Sequence, residues 1–141
     1  MAAGVIAGRP IVAGHAEGEA LVTTAPLSFW GGYDFATGRI IDTHHPLAGV
    51  RAAGRILAVP FSKGSSTTTA VLLEAVRAGT APAAIVTTGV DSFFALASIV
   101  ADAMYGKSFP VVALAAAQFA ELRTGEHLII ARGGAIRRRL E

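Results

Sequence analysis

Five consecutive hydroxyl residues are the first candidates for chemistry: residues 65–69 read Ser-Ser-Thr-Thr-Thr, and Lys63 and Gly64 precede them directly. The first turn of a helix carries unpaired backbone N–H groups and the positive end of the helix dipole. If a helix starts here, these residues would form a binding site for a carboxylate or phosphate. The hydroxyl groups and the lysine would bind the anion, and the glycine would let the backbone approach it closely. The alternative is an ordinary helix cap, although capping needs only one hydroxyl residue.

Two adjacent histidines form a second candidate, within the loop-like residues 42–46, Asp-Thr-His-His-Pro. One metal ion cannot easily bind two sequence neighbours, and no carboxylate motif accompanies His44 and His45. The pattern therefore favours an exposed histidine followed by one packed against Pro46, and it predicts no metal site in this chain. His45 is kept as a candidate for contact with a substrate or at an interface.

Three further residues allow two interpretations each. Asp91 is placed to cap a helix, but it also follows a predicted strand at the side where open sheets collect ligands. Phe29 and Trp30 precede two glycines in a turn-rich segment, 24–38. They fit a lid or an interface anchor as well as they fit the core.

The elements that must position these residues follow from hydrophobic periodicity and from turn residues. Strands are predicted over residues 17–23, 39–41, 54–59, 83–87, 109–114, 126–131 and 134–139, and helices over 65–78, 92–105 and 116–122. The middle of the chain alternates strand and helix, which indicates parallel strands with crossover helices. The expected fold is therefore a single compact α/β domain over residues 1–141, partly barrel-like, with crossover helices.

Composition limits the classes of function. The chain has 141 residues, of which 52% are hydrophobic and 16% charged, so it can form a core and leaves apolar surface for a complex. Cysteine is absent, so this chain has no thiolate for zinc or an iron–sulfur cluster. The net charge is only +2 and no aromatic residues interleave with the basic ones, which argues against nucleic-acid binding.

The sequence also predicts no membrane segment and no secretory signal. The longest uncharged stretch near the C-terminal half, residues 108–120, is too short to span a bilayer and contains a proline. No Lys or Arg precedes Arg9. A cytoplasmic location is expected.

Several stretches together resemble the swivel subunit of the aconitase X family. They are residues 26–32 (Pro-Leu-Ser-Phe-Trp-Gly-Gly), 34–40 (Asp-Phe-Ala-Thr-Gly-Arg-Ile), 45–49 (His-Pro-Leu-Ala-Gly), 64–79, 81–86 and 105–106. The turn at residues 64–66, Gly-Ser-Ser, is also similar to the Gly-Ser-Ser-Arg turn of the aconitase swivel domain. The resemblance covers about residues 9 to 135.

The resemblance implies a β/β/α swivelling domain that is the small subunit of a dehydratase and is inactive without its large subunit. A larger, cysteine-bearing partner would carry an iron–sulfur or iron centre, and no cofactor would be bound by this chain. The family's substrates are cis-3-hydroxy-L-proline in bacteria and mevalonate 5-phosphate in archaea. The former is favoured here, since two lysines among many arginines and alanines are typical of a GC-rich bacterial genome.

Matched position by position, the resemblance makes Ser65 the general base and Ser66 a ligand of the substrate carboxylate. Gly64 and Thr67 are implied in substrate binding as well, but Thr67 stands where aconitase has arginine. Lys63 or the partner subunit would then supply the missing positive charge. His45 completes the predicted substrate-binding set.

Two other kinds of function stay open at this point. One is a stand-alone anion- or phosphate-binding module without catalysis, for which a glycine turn on a helix start suffices. The other is an assembly subunit in which Ser65 is inert.

Overall fold

The computed structural model describes residues 5–64 and 67–139. Its strands are β1 (Val5–Ala7), β2 (Arg9–Val12), β3 (Ala16–Val22), β4 (Tyr33–Asp34), β5 (Arg39–Ile40), β6 (Ile56–Ala58), β7 (Ala84–Thr87), β8 (Val111–Ala113), β9 (His127–Ile130) and β10 (Ala135–Arg138). Its helices are α1 (Thr67–Ala78), α2 (Ser92–Tyr105) and α3 (Ala116–Phe119). In these ranges, no helix is both long and apolar enough to cross a bilayer.

Eight strands form one mixed sheet in the order β1-β10-β9-β3-β6-β7-β8-β2. The central strands β3, β6, β7 and β8 are parallel, and their neighbours on both sides are antiparallel. Helix α1 connects β6 to β7, and α2 connects β7 to β8, as crossover helices must between parallel strands. Strands β4 and β5 form a separate small hairpin.

The sheet closes on itself at Gly8. Strands β1 and β2 are separated by this residue alone, yet β1 pairs with β10 at one edge and β2 pairs with β8 at the other. The two edges of the sheet therefore meet, which makes the domain barrel-like. The Gly8 N–H donates to the Gly134 carbonyl oxygen at 3.0 Å. A Cβ atom at Gly8 would collide with a Val112 methyl group and lie 2.8 Å from that same oxygen.

Strands β6, β7 and β8 are buried on both faces. Alternate residues such as Ile56 and Val86 face the barrel interior, where they join Phe119 of α3. The residues between them, such as Leu57 and Ile85, face outward and are covered by α1 and α2. The domain thus has an inner and an outer core that share the parallel strands.

The predicted α/β class with a partly barrel-like sheet is confirmed. The seven predicted strands and three helices are present, most of them with ends that differ by one to three residues. Helix α2 has the predicted bounds, with Asp91 as its N-cap. The interpretation of residues 24–38 as a loop is wrong in part, because it contains β4. Strands β1 and β2 were not predicted.

Candidate functional site

The carboxyl ends of β3, β6 and β7 meet at one edge of the sheet. Val22 is paired with Ala58 and Ala58 with Val86, so the three strands end level with one another. The segments that follow them lie at this edge: residues 23–32, the described part of 59–66, and residues 88–91. Parallel sheets bind ligands at such an edge. We call it the carboxyl edge.

The first two of these segments run side by side. Leu27 and Ser62 form a parallel bridge, and the Lys63 N–H donates to the Leu27 carbonyl oxygen at 3.0 Å. Gly64 follows with φ of 122°, a conformation that side-chain-bearing residues rarely adopt. A Cβ atom there would contact only the Ser28 Oγ atom, at 3.9 Å. Ser28 therefore lies beside the turn that leads into residues 65 and 66.

The Asp91 carboxylate joins the second and third segments. Its Oδ1 atom accepts the Phe93 and Phe94 N–H groups at 3.0 and 3.2 Å, which caps α2. Its Oδ2 atom accepts the Ser62 N–H at 2.6 Å and the Ser62 hydroxyl at 2.8 Å. The loop before α1 is thus attached to the start of α2.

The two adjacent aromatic residues have opposite environments. Phe29 is fully buried, with ring centroids 5.1 Å from Tyr33 and 5.5 Å from Phe94. Trp30 is 70% exposed. The core interpretation is therefore correct for Phe29, which packs in the outer core, whereas a lid or interface role for the exposed Trp30 stays a prediction.

The predicted base and carboxylate ligand, Ser65 and Ser66, lie outside the described residues. Lys63 and Gly64 are exposed at the carboxyl edge, and Thr67 is the half-buried first residue of α1. The structure therefore brings three of the predicted site residues to one edge, and the roles given to all five stay predictions.

The last two hydroxyl residues of the run are buried. The Thr69 hydroxyl donates to the Phe93 carbonyl oxygen at 3.1 Å, which joins the first turn of α1 to the start of α2. The Thr68 hydroxyl has no partner within the described ranges. Thr69 thus joins the two helices, a structural role distinct from capping and from ligand binding.

The histidine pair divides as the sequence indicates, with His44 exposed and His45 buried. The His45 Nδ1 atom accepts the Leu47 N–H at 3.0 Å, which places the proton of a neutral ring on Nε2. That Nε2 atom is buried and has no partner in the part of the chain described. The predicted contact of His45 with substrate stays a prediction.

Two side chains have shifted pKa values, and the structure explains both shifts. Burial raises the pKa of Tyr33, whose hydroxyl donates to the Thr80 carbonyl oxygen at 2.7 Å, so the phenol stays neutral. A hydrogen bond from His127 lowers the pKa of Glu17, and this exposed pair lies toward the amino-terminal end of β3. Neither group belongs to the carboxyl edge.

Sequence reasoning missed Ser28 and Ser62 as residues of this edge. Ser28 lies within the Ser-Phe-Trp-Gly-Gly stretch and Ser62 precedes Lys63, but neither has a local signal of its own. Their contacts depend on strands β3, β6 and β7 lying side by side, which a single sequence does not reveal.

The described part of the chain does not offer a donor set for an iron or iron–sulfur centre. It contains no cysteine. Across residues 5–64 and 67–139, no three His, Asp or Glu side chains converge closely enough to hold a metal ion. The residues that the structure describes therefore do not fit such a group.

Comparison with known proteins agrees with this architecture. The sequence profile of the aconitase X swivel domain matches residues 5–137. The chain is 46% identical over 110 residues to a cis-3-hydroxy-L-proline dehydratase of Pseudomonas aeruginosa, a match covering 78% of this chain but only 19% of that protein. It is 42% identical over 93 residues to the phosphomevalonate dehydratase small subunit of Methanothermobacter thermautotrophicus, covering 66% of this chain and 71% of that one.

A solved structure has the same fold. Aconitase X of Thermococcus kodakaraensis, in its holo-form, superposes with a TM-score of 0.85 and 31% identity over 96% of this chain and 98% of that chain. The profile match, the sequence identities and the superposition agree, and the chain therefore belongs to the aconitase X swivel domain family.

Proposed function

We propose that this chain is the swivel component of a hydro-lyase that dehydrates cis-3-hydroxy-L-proline. Ser65 is the general base, and the remaining catalytic groups, including any metal centre, belong to a larger, cysteine-bearing partner. The observation that supports the proposal is that the described residues on either side of Ser65 and Ser66, Gly64 and Thr67, lie at the carboxyl edge and at the start of α1.

This position suits the chemistry of the base. Dehydration removes the proton beside the substrate carboxylate and the hydroxyl group on the next carbon, which together leave as water. A serine hydroxyl is too weak a base at neutral pH unless its alkoxide form is stabilised. The N–H groups and dipole of the twelve-residue helix α1 favour negative charge at its start, and Lys63 is an exposed cation two residues before Ser65.

A partner surface is supported by exposed apolar residues around the same edge. Each of the three segments exposes one large apolar side chain: Trp30 at 70%, Phe61 at 52% and Val90 at 57%. Apolar groups that surround an active site gain free energy when another surface covers them. Covering them would also exclude water from the reacting atoms.

Charge supports the choice of substrate. Residues 23–32, 59–66 and 88–91 contain one basic residue, Lys63, and one acidic residue, Asp91. Phosphate groups are usually bound by several charged donors, commonly arginines. A single lysine beside a helix start matches one carboxylate better than a carboxylate and a phosphate.

The test is reconstitution with the larger partner under anaerobic conditions, followed by turnover assays with both substrates. We expect turnover of cis-3-hydroxy-L-proline, and a fall of about 10²–10⁴-fold in kcat for Ser65→Ala, the usual contribution of a general base. Complex formation should be unchanged. The matched control is Ser108→Ala, because Ser108 is exposed in the loop that precedes β8 at the opposite edge.

Each outcome bears on a different part of the proposal. Normal turnover by Ser65→Ala would remove the base from this chain. Turnover of mevalonate 5-phosphate alone would keep the dehydratase and change the substrate. A protein that binds carboxylates or phosphate but gains no activity with any larger partner would be an anion-binding module.

A further inference from the structure

We infer that Asp91 is a positioning residue for the loop, residues 59–64, that directly precedes Ser65 in the chain. The inference rests on the proposed function, since it concerns the same site. Its basis is that the two oxygens of one buried carboxylate hold two different elements, the start of α2 and the loop before α1.

An N-cap needs only part of this carboxylate. The Oδ1 atom alone satisfies two N–H groups of α2, as a serine or asparagine cap would. The Oδ2 atom is left for two short hydrogen bonds at the carboxyl edge, 2.6 Å from the Ser62 nitrogen and 2.8 Å from the Ser62 Oγ atom. Only a charged carboxylate accepts all four hydrogen bonds, so the charge of Asp91 serves the loop.

The start of α2 holds the chain on both sides of Ser65. Three residues before it, Ser62 is bound to Asp91. Four residues after it, the Thr69 hydroxyl donates to the Phe93 carbonyl oxygen at 3.1 Å. Residues 63–68 therefore span two attachments that lie two residues apart on α2.

The attachment at Ser62 differs from the other hydrogen bonds that hold this loop. The Pro60 carbonyl oxygen accepts both the N–H and the hydroxyl of Thr88, each at 3.2 Å, and the Lys63 N–H donates to Leu27 at 3.0 Å. These bonds use backbone groups of the loop, whereas Asp91 also takes the side chain of Ser62. Loss of the carboxylate would free the backbone directly before Lys63 and Gly64.

The test compares Asp91→Asn with Ser98→Ala in the assembled enzyme. Asparagine keeps the Oδ1 cap, but its amide nitrogen cannot accept the Ser62 N–H. Ser98 is the matched control because it is buried on the same helix and bonds the backbone of Phe109 with its hydroxyl, remote from the loop. We expect a fall of about 10–100-fold in kcat for Asp91→Asn, the cost of slight misplacement of a reacting group, with a small change in KM.

Hydrogen exchange gives a readout that does not depend on activity. The amides of residues 61–64 should exchange faster in Asp91→Asn than in the wild type and should be unchanged in Ser98→Ala. Ser98→Ala should lose thermal stability to a similar extent and keep its kcat. An equal fall in kcat for both variants would show a general loss of stability and overturn the positioning role.

A milder variant covers the case in which Asp91→Asn fails to fold. Ser62→Ala removes one of the two bonds to Oδ2 and should lower kcat about two- to tenfold. Unchanged kcat in both Ser62→Ala and any folded Asp91→Asn would overturn the inference while the proposed function stands. No turnover by the wild-type complex would refute the proposed function instead.

Discussion

At Gly64 the backbone has a φ of 122°, and the residue is exposed with open space around it. Steric space is therefore not the constraint at this position; the backbone conformation is. Gly64→Ala should either lower the free energy of unfolding by about 1–3 kcal/mol or shift the loop to relieve that strain, and a shift of the loop should lower turnover. Urea unfolding and turnover measured on one preparation check both effects.

Gly89 provides the matched control. It lies at the same edge, has open space for a Cβ atom and does not have a positive φ. Gly89→Ala should change stability and turnover little. If Gly64→Ala behaved like Gly89→Ala, the left-handed turn would not be needed for the site.

Single residues were predictable where their contacts are local. Asp91 could be assigned as a cap from the sequence, because a cap bonds the next two or three residues. Its second oxygen could not be assigned, because Ser62 is 29 residues away and reaches Asp91 only after β6 and β7 pair. The same limit hid the contact of Ser28 with the Gly64 turn.

At the scale of the strands, closure of the barrel depends on Gly8. A side chain there would meet the Val112 side chain and the Gly134 backbone, and the backbone cannot yield as a flexible side chain can. Gly8→Ala should therefore lower the unfolding free energy by several kcal/mol, about 3 or more, as overpacking at a rigid contact does. Thermal and urea unfolding measure the loss.

Gly133 is the control for that substitution, because it lies in the neighbouring turn with open space around it and no positive φ. Gly133→Ala should be nearly neutral. A small effect of Gly8→Ala would mean that β1 and β2 separate readily and that the sheet is an open one.

Elements were predictable in proportion to the strength of their local pattern. Strands β6, β7 and β8 are short, mainly apolar runs buried on both faces, and the sequence of α2 includes recognisable residues at both caps, Asp91 and Gly106. Strands β1 and β2 lack such a signal, since they are edge strands interrupted by Gly8 with partners more than 90 residues away. Strand β4 is two residues long and depends on its hairpin partner.

At the scale of the whole molecule, the inner core is closed, whereas the outer core ends at an exposed edge. The inner core is closed by the barrel and by α3, so it can hold its shape independently of a partner. The outer core ends at the carboxyl edge, where Trp30, Phe61 and Val90 are left exposed around the segment that carries Ser65. Under the proposed function, the closed inner core would support the site and the partner would cover it at the carboxyl edge.

Burial of this edge in the complex can be measured with the single tryptophan of the chain. Trp30 is 70% exposed in the free domain. On binding of the larger partner, the Trp30 emission should shift to shorter wavelength and its quenching by iodide should fall. A tryptophan-free partner is used to avoid overlapping emission.

Phe61→Ala should weaken the complex by about 2 kcal/mol, about 30-fold in Kd, as loss of a buried aromatic anchor does. Met104→Ala is the control, because Met104 is 60% exposed near the end of α2, at the opposite edge of the sheet. Unchanged Trp30 emission in an active complex, or equal weakening by both variants, would show that the partner binds elsewhere and that Ser65 meets the substrate without being covered at this edge.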